Sequence, residues 1–435
     1  MKIRKILFWC HLTVGSIAGV VILTMCVTGV LLAFERQIIS YAERDFRVTA
    51  PGQAHRLPLE SLLEKARAAV PSAPMSIAWK SDLTAPIEIT VTRNQSLLLD
   101  PYSGALLGGG AKRTRAFFHS VEDIHRWLAA SPENRATGRA ITGACNLGFL
   151  FLVLSGPFLW LPRTWSRAAV RAGTRFKFSL RGKARDFNWH NVIGFWTCIP
   201  LAVIVLCAVV MSYPRANNLV YKVTGNPPPP PNAQQQAGAS AQTNSQRNRT
   251  RDGSSSSGET DHASPWAGLD TTSHLAEARV PDWRTITVRF ASPSDPNVSF
   301  SIDSGSGGRP DKRSQLTFNR KTGAEIRWEP FSSYNSGRKL RAWIRFTHTG
   351  EAGGFLGQSI ASIAAAGGAL LVWTGLSLAI RRLVASLSRR RLSATKAVTS
   401  LAPDRTAVPT HANLPANAAA NDPHPFSDNP IHLEN

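Results

Sequence analysis

Four of the eleven histidines in this 435-residue chain stand where imidazole could do chemistry. His11, in WCHLTVG, and His190, in WHNVIGFW, each open a long apolar run. Each is followed four residues later by a glycine, Gly15 and Gly194, which on a helix falls on the same face. His125, in IHRWL, and His348, in THTGEAGG, each stand just ahead of another apolar run. A neutral imidazole is a common metal ligand. Two imidazoles on one haem iron give a six-coordinate centre suited to electron transfer rather than to oxygen chemistry. No carboxylate or thiolate converges with either pair, which disfavours other metals. A single interfacial histidine, or a glycine on a helix-packing face, is ordinary in a membrane protein. Four histidines in two depth-matched pairs are harder to explain that way. His119 is the second-tier ligand, but its spacing of six from His125 puts the two on different faces.

The elements that position these residues are four apolar blocks, Ile6–Phe34, Ala140–Leu161, Asn191–Met211 and Gly353–Ile380. Each approaches or exceeds the roughly 20 residues a helix needs to cross a bilayer. The net charge of +22 raises the question of nucleic acid, but its placement argues against it. Lys2, Arg4 and Lys5 precede the first block. Arg163, Arg167, Arg171, Arg175, Lys177, Arg181, Lys183 and Arg185 fill the connection between the second and third, with Asp186 its one acid. Arg381, Arg382 and Arg389 to Arg391 follow the fourth. Short basic loops mark the cytoplasmic side, so all three groups predict one topology with both termini inside. The basic loop should also attract anionic lipid. The first block is too long for a signal-peptide core and ends at Phe34-Glu35-Arg36 without a small-residue cleavage site, which predicts an uncleaved anchor. The five cysteines all fall in or beside the apolar blocks with no CxxC, which disfavours disulfides, zinc and iron–sulfur clusters.

Between the spans lie two polar regions. In the first, Leu57–Val70 has helical periodicity. Met75–Trp79, Ile87–Thr92, Gln95–Leu99 and Ala105–Leu107 read as strands around the turn Asp100-Pro101-Tyr102-Ser103-Gly104. Phe117–Ala130 is an amphipathic helix that Ser131-Pro132 should stop. In the second region a low-complexity insert, 226–262, precedes strands at Thr285–Phe290, Val298–Ile302, Gln315–Asn319 and Ala324–Trp328, then an amphipathic stretch Leu340–Thr347. The chain thus repeats a unit of outgoing span, β-rich module and incoming span. The predicted fold class is a membrane protein of four transmembrane α-helices in two repeats, each with a periplasmic α+β module. The expected segments are 1–36 (N-terminus and first span), 37–137 (first module and pre-span helix), 138–162 (second span) and 163–187 (cytoplasmic loop). They continue as 188–213 (third span), 214–347 (second module), 348–381 (fourth span) and 382–435 (polar, disordered tail).

At WCHLTVG, LLLDPYSGALLG, IHRWL, WHNVIGFW, LTFNRKTGAEI and THTGEAGG the chain resembles the PepSY-associated transmembrane family, over nearly all its length to about Arg382. That family includes iron-regulated inner-membrane proteins and periplasmic siderophore reductases. The resemblance implies two periplasmic PepSY domains in a multi-pass protein of the bacterial inner membrane. For reductase members it implies two b-type haems and electrons delivered to a ferric siderophore or other periplasmic iron chelate. By position, the inner haem would take His11 and His190, and the outer haem His125 and His348. Arg126, Trp127, Arg341 and Arg345 lie near the outer edge, where arginines suit haem propionates or an anionic chelate, or equally serve as ordinary interfacial anchors. No GxGxxG follows a strand, so the electron donor should be membrane quinol or a separate reductase. No acid–base pair or nucleophile stands out as catalytic. The rival expectation is non-enzymatic, with PepSY modules binding a peptide, protease or iron-uptake partner, for instance by strand addition.

Overall fold

In the computed structural model, residues 2–401 are described except 53–54, 71–72, 93–94, 163–164, 230–263 and 291–294. Most of the low-complexity insert and the tail from 402 therefore lie outside the described residues. Residues 1–381 form one unit and 382–435 a second.

Four helical stretches are long and apolar enough to cross a membrane, and the protein is a membrane protein. In chain order, α1 spans Lys2–Leu32 and α2 Glu35–Ala42, α3 is Leu59–Ala69, and α4 (Lys112–Trp127) leads into α5 (Arg135–Trp160). After α6 (Arg167–Thr174) come α7 (Gly182–Ser212), α8 (Pro214–Val223) and α9 (Leu269–Arg279). The last helices are α10 (Ser336–His348) and α11 (Gly354–Leu401). By connectivity α1 and α7 run toward the β-structure, and α5 and α11 run away from it.

The spans converge on small residues. A Cβ added to Gly368 of α11 would lie 2.9 Å from Cys26 Sγ, 3.4 Å from Phe149 and 3.5 Å from Leu201, so α1, α5 and α7 all meet α11 there. Beside it, a Cβ on Gly367 would press on Thr197 of α7 at 2.6 Å. Ala18, Ile22, Val153, Val205 and Ala364 complete this buried layer. Close backbone approach through small residues is how helices associate without a hydrophobic driving force between them.

The two β-rich regions form a single eight-stranded sheet. β1 (Ser76–Lys80), β2 (Ile87–Thr92), β3 (Gln95–Leu99) and β4 (Leu106–Gly108) come from the first region. β5 (Thr285–Arg289), β6 (Asn297–Asp303), β7 (Arg313–Asn319) and β8 (Glu325–Pro330) come from the second. The order is β4-β3-β2-β1-β5-β6-β7-β8, antiparallel throughout. The central seam pairs Ser76 with Arg289, Ala78 with Thr287 and Lys80 with Thr285. The sequence treats these regions as separate modules, whereas in the structure they share one sheet and one core.

Alternation explains that core. Ile77, Trp79, Ile87, Ile89, Ile286, Val288, Phe300, Ile302 and Leu316 point to one face, which α3 and α9 cover. Leu59, Leu62 and Leu63 of α3 are all buried against it. At about 1.5–3 kcal/mol each, an upper bound, they hold α3 on the sheet. The halves also interlock by hydrogen bonds. The Asp270 carboxylate of α9 accepts from the backbone N–H groups of Leu59 and Glu60 at the start of α3, and Trp79 Nε1 donates to Glu277 at 2.7 Å.

The helix before the second span breaks earlier than Ser131-Pro132 suggests. Leu128 and Ala129 both take left-handed backbone (φ 55° and 57°), and α4 ends at Trp127. Such residues cost roughly 1–2 kcal/mol each and need packing to hold them. Here Arg126 and Arg135 both lie 4.6 Å from the Trp127 ring centre, and a Cβ on Gly138 would strike the Trp127 carbonyl. The chain therefore turns directly behind His125.

Candidate cofactor-binding sites

Near the sheet, α4 brings His125 and α10 brings His348 against each other, with ring centres 6.4 Å apart and planes at 52°. His125 Nδ1 bonds Thr28 Oγ1 of α1 at 2.8 Å and also reaches the Met25 carbonyl. His348 Nδ1 bonds the Ile204 carbonyl of α7 at 3.0 Å. At the far end, His11 Nδ1 of α1 bonds Ser155 Oγ of α5 at 2.7 Å. His190 Nδ1 of α7 bonds Thr374 Oγ1 of α11 at 3.0 Å and reaches the Leu371 carbonyl. His11 lies within electrostatic reach of His190.

These bonds orient the rings. A carbonyl only accepts, so Nδ1 of His348 carries the proton. Thr28 also donates to Thr24 O at 2.6 Å, Ser155 to Leu152 O at 3.2 Å and Thr374 to Leu370 O at 2.7 Å, which leaves each hydroxyl able to accept from its histidine. In all four rings Nε2 is engaged by no hydrogen bond among the described residues. Metal-bound histidines show the same arrangement, the second ring nitrogen donating to a fixed acceptor.

The spacing of the sheet-end pair suits one iron between two rings. Imidazole nitrogens bind metals at about 2 Å, so rings this close could both hold one iron. Glycines let the rings lie against neighbouring backbone. A Cβ on Gly29 would approach His125 Cε1 to 3.6 Å, and one on Gly375 would approach His190 Cε1 to 3.3 Å. Gly15 and Gly194, chosen from sequence, instead face Leu152 and Leu371 across helix interfaces. His119 is half-buried on α4, and it is His125 that the fold brings against His348. Haem fits both pairs by donor type, with Nδ1 of each ring held by a neighbouring helix. His11 and Thr28 lie about 25 Å apart along α1 at 1.5 Å per residue, so the two sites sit at opposite ends of the bundle.

The surroundings differ. At the sheet end Arg126 pairs with Glu122 (2.6 Å), Arg36 with Glu351 (3.2 Å) and Arg313 with Asp303 (3.0 Å). Arg341 donates to Asn217 at 2.7 Å. At the far end Asp186, 5% exposed, accepts from Ser377 (2.8 Å) and faces Arg185 (3.1 Å) and Arg381 (3.5 Å). Two residues from His190's helical turn, Asn188 accepts from Lys177 N–H at 2.9 Å and donates to the Ala172 and Arg175 carbonyls. That folds the α6 connection onto α7, where Trp196 Nε1 also donates to Thr174 O.

A four-span bundle with histidines held in this way defines a membrane protein with two candidate cofactor sites. The family described as the PepSY-associated TM region matches residues 8–382, and the chain belongs to that family. No curated protein matches the chain.

Proposed function

We propose that the protein carries electrons through a bacterial inner membrane between two bis-histidine haem b groups. His11 and His190 hold one group, and His125 and His348 hold the other. In this reading the two halves are repeats of one unit. The sheet lies in the periplasm as paired PepSY domains, and both termini are cytoplasmic. The support for that orientation is charge: Lys2, Arg4, Lys5, the 167–185 connection and Arg381 all belong to the far end. The acceptor is a periplasmic ferric chelate, with a ferric siderophore as the iron-acquisition case. The donor is quinol or a separate reductase, since the chain offers no nucleotide-binding motif.

One observation carries the reading: four imidazoles, each with Nδ1 held by another helix and Nε2 in no hydrogen bond among the described residues, two of them with ring centres 6.4 Å apart. Bound haem supplies one-electron carriage. The chain's own residues orient the rings, exclude water through the Gly368 layer and separate the two ends. Each quinol releases two electrons and two protons, and the electrons reduce two ferric ions to ferrous.

Proteoliposomes test this. The full chain is reconstituted with menadiol as donor and ferric citrate outside, and ferrous ion is read with an impermeant chelator. The expected result is ferrous formation well above protein-free vesicles and lost in His190→Ala and His348→Ala. A rate equal to protein-free vesicles contradicts the function.

A further inference from the structure

Sequence left several arginines beside the sheet-end pair as possible anion ligands, and the structure separates them. Arg126 is committed to Glu122 and stacks on Trp127. Arg341 is committed to Asn217. Arg36 has Glu351, whose carboxylate also accepts from Thr349, and Arg313 has Asp303 and the Gly307 carbonyl. The Arg345 guanidinium has no hydrogen bond or ion pair among the described residues, while the backbone carbonyl of this residue is engaged by Thr349. The guanidinium carbon lies 5.6 Å from the centre of the Phe346 ring. It sits on α10 three residues before His348, on the same side of the helix.

We propose that Arg345 binds a carboxylate at the sheet-end site. The proposal rests on the haem reading above and adds the group that receives the anion. The carboxylate comes either from a propionate of the haem held by His125 and His348 or from the ferric acceptor. Three further cations, Arg313, Arg36 and Arg126, lie close enough to act on Arg345, with Glu351 the acid among them. An unneutralised charge among like charges is unfavourable unless an anion completes it. The planar guanidinium fork matches a carboxylate with two parallel hydrogen bonds. Arg345 also remains open to solvent, so a ligand can reach it.

The experiment uses the full chain in detergent and Arg345→Gln. Three quantities are read: haem per chain, the midpoint potentials of both haems, and the affinity of the oxidised protein for ferric citrate. If the carboxylate is a propionate, one of the two potentials falls, because a cation that favoured the reduced form is gone, and citrate affinity holds. If it belongs to the acceptor, citrate affinity falls about tenfold or more and both potentials hold. Either result supports the assignment. Arg345→Lys keeps the charge but not the fork; it is expected to shift the same readout by less, and it serves if the glutamine variant does not fold. Wild-type haem content, potentials and affinity in the variant that folds overturn the assignment. A colourless wild-type protein contradicts the haem reading instead, and the citrate arm then decides Arg345 alone. There, tenfold weaker binding sustains the assignment and unchanged binding overturns it.

Discussion

The two ends of the bundle hold their histidines by different means. The sheet-end histidines sit on α4 and α10, short helices outside the buried bundle layer, and reach across to α1 and α7. Each of these helices ends within three residues of its histidine at a left-handed residue, Leu128 or Gly350. The far-end histidines belong to the spans α1 and α7 and lean on α5 and α11. Ring contact at 6.4 Å joins His125 and His348, and among the described residues none joins His11 and His190. Charge differs as well. The sheet end is a lattice of paired acids and arginines, while the far end is cationic, with Asp186 buried among its partners.

The comparison breaks most directly at the ligands. Alanine at His125 or His348 is expected to remove one haem of two and leave the far-end spectrum, and alanine at His11 or His190 to do the reverse. Haem per chain with visible spectra reads this; loss of both groups from one substitution would mean that the ends are not independent.

Next come the hydroxyl partners of Nδ1. Ser155→Ala leaves His11 without its hydroxyl partner, and haem retention at the far end should weaken about 10–100-fold. Thr28→Val at the sheet end and Thr374→Val at the far end should each weaken haem retention at their own site by less, because the Met25 and Leu371 carbonyls remain within reach of His125 and His190. Haem release to apomyoglobin ranks the three. Equal losses would contradict the carbonyl backup.

Gly368→Val tests the layer between the ends. Its side chain meets Cys26, Phe149 and Leu201, and overpacking of this kind costs roughly 1–3 kcal/mol. Thermal unfolding in detergent should show the loss, with both haem sites affected together rather than one.

The smallest expected effect is Asp186→Asn. It removes the charge that Arg185 and Arg381 face while keeping an acceptor for Ser377. A loss of about 1 kcal/mol is expected, with far-end haem bound less tightly and the sheet end unchanged. A change confined to the sheet end would contradict the assignment of Asp186 to the far site.

Much of the fold was legible because it follows local rules. The strands Ile87–Thr92 and Gln95–Leu99 match their predicted bounds, since alternation and the Asp100–Gly104 turn specify both. Helix α9 was not foreseen. Its buried face is Leu269, Thr272, Ser273 and Ala276, small and half polar, so hydrophobic periodicity is silent. The seam between β1 and β5 was not legible either, because strands some two hundred residues apart carry no local sign of their pairing. At the site, residue type and depth brought out the histidines. Their partners Thr28, Ser155 and Thr374 looked like ordinary span hydroxyls, which satisfy their own helix as these do. Only the packing of α1 on α4, α5 on α1 and α11 on α7 turns them toward imidazole.

The most direct test of paired bis-histidine sites is the haem content and visible spectrum of the detergent-purified full chain, oxidised and dithionite-reduced. Close to two b-type haems per chain, with the sharp reduced bands of bis-imidazole iron, is the predicted result. A colourless protein from haem-replete cells would contradict it and leave the shared sheet, as a binding surface, to carry the function.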